Sequence, residues 1–503
     1  MESLSSRNPL VKILLHYEIS VIDYETEETG PSLRAIKSAR DLLEEDFSDD
    51  TRLLLFWTSV LNHYALIQSS FSELENALKA LDQSKHLYLK WKQNPDQKVL
   101  QLEDAFLDVD SSPDDETKIN LEAKIEKNYT ETIYFMAQVL QNLGQNDKSA
   151  ILCMETLKRQ AVSGEFDPLD WAVNAATFCQ YFASHGDFST ARHLLASAMV
   201  MIDKVNSSDD ELFTKRRHDL DRIFVKYCLM LMESHSSHST VPSSCSTDRV
   251  LEYSVVLEIE ESIPVSVPTM YEDAILIFQA AQRHLSDATS YFTLETHASD
   301  YADCILDESK LYRLLALFQT QDVSKVCKLH KRRIDLLEHL VKELNPTHFL
   351  ALLSKINFEL GETYSEMAHY KSIEKSCENL SKQVVIKINS FINHSINHFD
   401  KFLATFSDKT TKEIKGKLDD EEVRPVISAL MSRGRLNSKF LTLETGDQLK
   451  KLEESESAYQ RAVNYLSLHS DQEDLVQEEA KVLREMLQLI PDKRRILMTN
   501  TMY

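Results

Sequence analysis

The residues from Asp170 to Ile202, DWAVNAATFCQYFASHGDFSTARHLLASAMVMI, constrain the fold most strongly, because they contain two helical patterns separated by a turn. Apolar residues at spacings of four, three and four form the stripe of a first helix: Trp171, Ala175, Phe178 and Phe182. Gly186 then suits the left-handed conformation that ends a helix. A second stripe follows the turn: Phe188, Ala191, Leu195 and Ala198. This alternation of small and large residues is typical of a tetratricopeptide helix pair.

Glycine is scarce, with 8 residues in 503, where ordinary usage of about 7% would give roughly four times as many. Hairpin-rich sheets, phosphate-binding loops and nucleotide-binding turns all need glycine, so the composition disfavours them. The chain also contains no Gly-x-Gly-x-x-Gly, P-loop, Gly-x-Ser-x-Gly or His-Glu-x-x-His motif. We therefore predict an all-α protein that is not an enzyme and needs no cofactor.

Other helical patterns extend this prediction along the chain. Residues 10–45 contain two short helices broken near Gly30, and residues 51–92 and 128–160 each contain a further helix pair. Residues 211–233 predict one long helix, and residues 234–248 have the Ser-rich composition of a flexible connector. Helical patterns return after Pro268 with weaker tetratricopeptide character.

The predicted fold is thus an α-solenoid of tetratricopeptide-like antiparallel helix pairs in two parts. We assign residues 1–205 to an N-terminal subdomain and residues 269–503 to a C-terminal helical-repeat subdomain. Residues 206–268 hold the long helix and the Ser-rich connector between them.

The charge balance indicates which partners the chain favours. It has 56 Lys and Arg against 80 Asp and Glu, a net charge of −24, which disfavours nucleic acid and anionic membranes and favours basic protein surfaces. Seven scattered cysteines with no Cys-x-x-Cys predict reduced thiols. The apolar run at the N-terminus is too short for a signal peptide, and no run approaches the length of a membrane span. We expect a soluble intracellular protein without membrane insertion.

Stacked helix pairs expose the polar face of each first helix on a concave surface. In two neighbouring repeats these residues are Tyr134, Gln138, Gln141, Asn174, Thr177, Gln180 and Tyr181. Amides, hydroxyls and tyrosines suit recognition of a protein surface, and none of these residues is a nucleophile with an adjacent base. Ordinary solvated helix faces remain the alternative interpretation.

Two other features suggest chemistry less strongly. His394 and His398 lie four apart on a predicted helix, but no third ligand lies nearby in sequence, so we expect no metal site there. The basic run KVCKLHKRR at 325–333 allows a nuclear-localisation or nucleic-acid role. Its apolar residues recur at helical spacing, so we interpret it as a solvated helix face.

Several stretches, in the same order over most of the chain, resemble the kinesin-binding protein family (KIF-binding protein). They are YTETIYFMAQVLQNLGQNDKSA, ETLKRQ, DPLDWAVNAATFCQYF with ARHLLASA, KYCLMLM, and CKLHKRRIDLLEHLVKELNPTHF. The segments VIDYETEET and RPVISAL resemble the same family. The resemblance implies two solenoid subdomains joined by a long linker helix. It also implies a cytoplasmic, cytoskeleton-associated scaffold that grips kinesin motor domains and keeps them off microtubules, with an indirect link to the transport of organelles such as mitochondria.

The resemblance also implies site residues. By position, the family's groove contacts fall on Gln138, Gln160 and Thr177. The loop ELNPTH at 343–348 matches one that touches the motor, which adds Asn345, Pro346, Thr347 and His348. An acidic groove would attract the kinesin surface that binds acidic tubulin. Two alternatives stay open: a tetratricopeptide adaptor for a non-kinesin client such as a chaperone tail, and a metal-dependent enzyme around the two histidines of the predicted helix.

Overall fold

A computed structural model describes most of the chain. The described residues are 9–47, 50–95, 99–100, 115–164, 166–205, 211–236, 250–251, 254–319, 321–374, 381–408, 410, 413–442 and 444–499. Most of the predicted Ser-rich connector, residues 237–248, lies outside them. The described residues form 18 α-helices and no β-strand. The prediction of an all-α fold built from antiparallel helix pairs is confirmed.

The chain divides into two compact units. The first unit comprises residues 1–179, 193–206 and 245–261. Its helices are α1 Pro9–Glu25, α2 Thr29–Phe47, α3 Leu54–Ser70, α4 Leu74–Lys92, α5 Asp115–Asn142, α6 Asn146–Ser163 and α10 Ser254–Ser262, with parts of α7 Pro168–Ser184 and α8 Phe188–Asp203.

Helix α3 forms the centre of the first unit, where it is buried on nearly all sides. Its residues from Leu54 to Ala65 are all buried, and they pack against α2, α4 and α5. A helix that is buried all round needs neighbouring helices on every side. The side chain of Trp171 is buried too, and its indole Nε1 donates to the Leu157 carbonyl at 3.1 Å, which joins α7 to α6.

The second unit comprises residues 180–192, 207–244 and 262–503. Its remaining helices are α9 Glu211–Glu233, α11 Tyr271–Tyr291, α12 Ala298–Phe318, α13 Val323–Glu343, α14 Leu350–Glu374, α15 Lys382–Phe406, α16 Asp420–Ser438, α17 Thr445–Leu468 and α18 Gln477–Thr499. From α11 onward each helix packs on the next one along the chain. Helix α9 covers the residues predicted for the long helix.

The turn after α7 has the predicted geometry. Gly186 has a φ of 81°, and the backbone N–H of Asp187 donates to the Phe182 carbonyl at 3.0 Å, which closes the helix end. The Asp187 carboxylate then accepts from the backbone N–H of Thr190 at 3.0 Å. A side chain that accepts there caps the first turn of α8.

The basic run on α13 is largely the solvated face that we expected, but two of its basic residues are buried. Lys325, Lys328 and Arg332 are exposed, but Arg333 is fully buried and His330 nearly so. The Arg333 guanidinium pairs with two carboxylates of α14, Glu359 at 2.6 Å and Glu366 at 2.5 Å. A buried cation needs such partners, and these lie more than twenty residues away in sequence.

Among the described residues, no helix is both long enough and apolar enough to cross a membrane.

Candidate functional site

The predicted recognition residues of α5 and α7 lie on polar helix faces. Tyr134 and Gln138 are exposed on α5, and Asn174 and Thr177 are exposed on α7. Their neighbours on the inner side of each helix, such as Ala137, are buried. Local hydrophobic periodicity therefore determines which side chains face solvent, because the apolar stripe takes the core side.

Gln160 on α6 lines a cavity of about 620 Å³. The cavity lies between α4, α5 and α6, and its other lining residues are Lys92, Glu122, Ala123, Glu126, Lys127, Thr130, Glu131, Lys158, Arg159, Val162 and Ser163. Val162 is 89% exposed. The cavity thus combines an amide, charged groups and an apolar side chain.

Glu126 joins the three helices that form this cavity. Its carboxylate accepts from Lys92 of α4 at 2.6 Å and from Arg159 of α6 at 2.8 Å. The Tyr88 hydroxyl of α4 also donates to it, at 2.9 Å. Burial by itself raises the pKa of Glu126, but the hydrogen bonds from Lys92 and Tyr88 and the nearby positive charges hold it below the usual value.

Two tyrosine rings form the apolar side of the same cluster. The rings of Tyr88 and Tyr129 are stacked with their centres 3.7 Å apart. The Arg159 guanidinium lies 4.4 Å from the centre of the Tyr129 ring, within cation–π range. Burial raises the pKa of Tyr129 to about 12, so this hydroxyl stays protonated. We call Lys92, Glu126, Arg159 and the two tyrosines the Glu126 cluster.

The lining of this cavity is mixed in charge rather than acidic. Lys92 and Arg159 pair with Glu126. The remaining charged lining residues are two bases, Lys127 and Lys158, and two acids, Glu122 and Glu131. The net acidity of the chain is therefore carried elsewhere on its surface.

The other predicted recognition residues occupy varied environments. The Thr177 hydroxyl donates to the Val173 carbonyl of its own helix at 2.9 Å, so only its acceptor side remains for a partner. Gln180 is half-buried and belongs to the second unit. The exposed loop Asn345, Pro346, Thr347 and His348 also belongs to that unit, and the Asn345 side chain accepts from the backbone N–H of Thr347 at 2.9 Å. This hydrogen bond forms an Asx-turn, which orders the loop before any partner binds.

The first unit therefore contains Tyr134, Gln138, Gln160, Asn174 and Thr177, while the loop at 345–348 is a separate feature of the second unit. Sequence reasoning missed the Glu126 cluster. Its members come from three helices and share no fixed spacing, so no local pattern indicates them.

Within the part of the chain that the structure describes, no third ligand joins His394 and His398. The Nδ1 of His394 lies 2.7 Å from the Ser390 carbonyl, and the Nδ1 of His398 lies 2.8 Å from the Asn357 side-chain oxygen. Both rings stack on Tyr364. Burial lowers the pKa of His398 to about 4, so the imidazole is a neutral element of helix packing.

Comparison with known proteins decides the family. A sequence profile for the KIF-1 binding protein C terminal matches residues 169–497. The chain belongs to the KIF-1 binding protein family. Relatives from this family are similar over nearly the whole chain. The KIF-binding protein of Danio rerio is 27% identical over 523 residues, which cover 95% of this chain and 82% of the relative. The KIF-binding protein of Gallus gallus is 28% identical, over 96% of this chain and 87% of the relative.

Solved structures of KIF-binding proteins share the fold. One described as kinesin binding protein (KBP) aligns with a TM-score of 0.61 at 24% identity, over 96% of this chain and 88% of the other. A second, a cryo-EM map of KIFBP, aligns with a TM-score of 0.62 at 21% identity. The resemblance drawn from the sequence motifs is confirmed.

Proposed function

We propose that this chain is a non-enzymatic scaffold that binds kinesin motor domains and blocks their attachment to microtubules. The observation that carries the proposal is the similarity to KIF-binding proteins over 95% of the chain, because it spans both units rather than a generic repeat. The polar faces of α5 and α7 support it. Inhibition then requires only that the scaffold and the microtubule compete for one surface of the motor.

The proposed contacts are the exposed side chains of the first unit and the ordered loop of the second. Tyr134, which is 42% exposed, offers a large rigid side chain of the type that dominates protein interfaces. The amides of Gln138, Gln160 and Asn174 each supply both donors and acceptors. The loop at 345–348 adds a second contact with little ordering cost, because its Asx-turn already exists.

A microtubule co-sedimentation assay tests the proposal. Purified kinesin motor domains are pelleted with microtubules in the presence and absence of the full chain. We expect at least some motors to move from pellet to supernatant as the chain is added. If every motor still pellets, the proposal is wrong.

Paired substitutions test the surface. Gln138→Ala with Thr177→Ala is expected to weaken motor binding about tenfold or more, because a cluster of interface residues contributes roughly 2 kcal/mol or more. The matched control is Gln488→Ala with Thr499→Ala on α18, where the threonine also donates to its own helix. Equal affinity of the two double variants would show that the contacts lie elsewhere.

An adaptor for a non-kinesin client is the second candidate. Lys127 and Lys158 line the cavity, and this is the observation that favours capture of an acidic peptide end. Lys92 and Arg159 share the carboxylate of Glu126, and Arg159 also pairs with Glu155, so both bases already have acidic partners, which counts against a dedicated carboxylate clamp. A peptide ending in a free carboxylate, compared with its amide, distinguishes the two: the adaptor requires the carboxylate and the kinesin scaffold does not.

We also propose a cytoplasmic, cytoskeleton-associated location and an indirect role in organelle transport, including axonal and mitochondrial transport. Imaging of a fluorescent fusion with and without microtubule depolymerisation tests this. The division into residues 1–205, 206–268 and 269–503 is proposed as well. Because the Ser-rich composition of residues 234–248 predicts a flexible connector, limited proteolysis should cut first there and leave two resistant fragments, whereas first cuts inside a helical region would contradict this division.

A further inference from the structure

Helices α9 and α11 of the second unit pack against each other and carry the same short motif. Helix α9 contains His218-x-x-Asp221 and helix α11 contains His284-x-x-Asp287. Residues three apart lie on one face of a helix, so each helix can present an imidazole and a carboxylate together. Paired carboxylate and histidine ligands at this spacing on facing helices are one way in which helix bundles hold metal ions.

The structure brings three of these side chains into one cluster and places His218 beside Asp221. The Nδ1 of His284 lies 2.7 Å from Asp221 Oδ1, across the interface of the two helices. One ligand atom from each of Asp221, His284 and Asp287 lies within 4.8 Å of the other two. His218 lies one turn earlier on α9, with its Nδ1 3.3 Å from Asp221 Oδ2.

Two features prepare the histidines as ligands. The Nδ1 of His218 is buried and makes no hydrogen bond, although Asp221 is close. This nitrogen is therefore a buried polar atom whose hydrogen-bonding capacity is unsatisfied. The ring of His284 stacks on Phe224 at 3.8 Å between centres, and that of His218 stacks on Tyr291 at 5.0 Å. Such stacking restrains the rings, while exposed Asp287 leaves a path from solvent.

We propose that His218, Asp221, His284 and Asp287 form a structural Zn²⁺ site that joins α9 to α11. Two imidazole nitrogens and two carboxylate oxygens match the ligands and the coordination number that zinc prefers, and the two carboxylates balance its charge. Donor atoms around a tetrahedral zinc lie about 3.4 Å apart, because each is about 2.1 Å from the metal. Side-chain rotations bring the cluster to that spacing, and the His284 proton moves from Nδ1 to Nε2 as Nδ1 becomes the ligand.

Zinc titration of the untagged full chain, stripped with a chelator and dialysed, tests the site. We expect calorimetry to give one Zn²⁺ per chain and the melting temperature to rise with added zinc, because the ion binds the folded state. Co²⁺ in place of Zn²⁺ should give the visible absorption of a tetrahedral N/O site.

Asp287→Asn is the decisive variant, because this residue is exposed and its change leaves the core intact. It should weaken zinc binding about tenfold or more and remove the cobalt absorption. The matched control is His339→Ala, which changes an exposed histidine paired with Glu343 at 3.8 Å on α13; it should bind zinc as the unmodified chain does. The proposal is overturned if the chain binds no zinc, or if Asp287→Asn binds it equally well. In either case the His284–Asp221 contact is a helix-packing hydrogen bond alone.

Discussion

Burial and the neighbouring Arg333 together keep His330 neutral. The guanidinium Nη1 lies 3.0 Å from the His330 Nδ1. An arginine can only donate, so this ring nitrogen must accept, and the imidazole is neutral. Burial, with the positive charges of Arg333 and Arg313, lowers the pKa of His330 to about 3.

This lowered pKa predicts a pH-dependent stability. An unfolded histidine titrates near about 6.5, so below that pH the unfolded chain binds a proton that folded His330 does not. Its contribution to the free energy of unfolding is fully present above about pH 6.5 and is lost as the pH falls toward about 3. In urea unfolding between about pH 6.5 and pH 5, His330→Gln should reduce the loss of stability with acidification, because glutamine does not titrate. The glutamine oxygen can still accept from Arg333, so the contact itself is kept.

Exposed His339 provides the control for this measurement, since it is 70% exposed. His339→Gln should leave the slope of stability against pH unchanged. An unaltered slope in His330→Gln would mean that the buried ring accepts a proton in the folded state.

The charge of Glu126 on α5 connects this helix to α4 and α6. Glu126→Gln leaves Lys92 and Arg159 without their shared carboxylate. Because Glu126 is 30% exposed, solvent screens part of the loss, and we expect a decrease of about 1–2 kcal/mol in the free energy of unfolding. Glu155→Gln removes a carboxylate that pairs with Arg159 at 3.1 Å and should cost less. Equal losses in the two variants would contradict a central role for Glu126.

At the scale of elements, α16 and α17 approach closely at one glycine. A Cβ at Gly434 would collide with the ring of Tyr459, and the Ser455 hydroxyl donates to the Gly434 carbonyl at 2.7 Å. The small residue therefore sets the distance between the two helices. This is the same use of small residues that the Asp170–Ile202 pattern predicts for α7 and α8.

Gly434→Ala should destabilise the chain even though alanine favours helix by about 1 kcal/mol over glycine. The ring of Tyr459 has to move, and overpacking of this kind costs about 1–3 kcal/mol. Gly446→Ala, near the start of α17, is the control, because no atom lies within 4 Å of a Cβ there; it should be neutral or stabilising. Both effects are measured by thermal unfolding, and a more stable Gly434→Ala would refute the close-packing argument.

At the scale of the whole molecule, the net charge of −24 acts on partners before contact. The cavity lining is mixed in sign, so any attraction to a basic motor surface comes from the summed field of the chain. We expect the association rate with a kinesin motor domain to fall as the salt concentration rises from about 0.05 to about 0.3 M. Over this range the Debye length shortens below about 10 Å, so salt screens the long-range attraction.

Stopped-flow measurement checks this prediction, with the Gln138→Ala and Thr177→Ala double variant as a comparison. That variant should dissociate faster while keeping the salt dependence of association, because contact residues govern dissociation and the overall field governs encounter. An association rate that does not change with salt would show that the net charge has no part in recognition.

Much of the fold could be predicted because its signals are local. The stripe from Trp171 to Phe182 and the turn at Gly186 lie within one helix pair, and the long helix at 211–233 begins and ends as its hydrophobic pattern indicates. The same periodicity indicated that Tyr134, Gln138, Asn174 and Thr177 would face solvent. Whether they contact a motor stays a prediction.

The remaining features depend on which helices meet. Arg333 and Lys325 belong to one basic run, yet tertiary packing buries the first between two carboxylates and leaves the second in water. The Glu126 cluster and the four residues of the proposed zinc site likewise come from separate helices. The amino-acid sequence by itself determined the helices, their pairing and the family, since each of these follows from periodicity or motif order along the chain. Only the tertiary structure decided which charges are buried and paired, because burial and pairing depend on side chains brought together from distant positions.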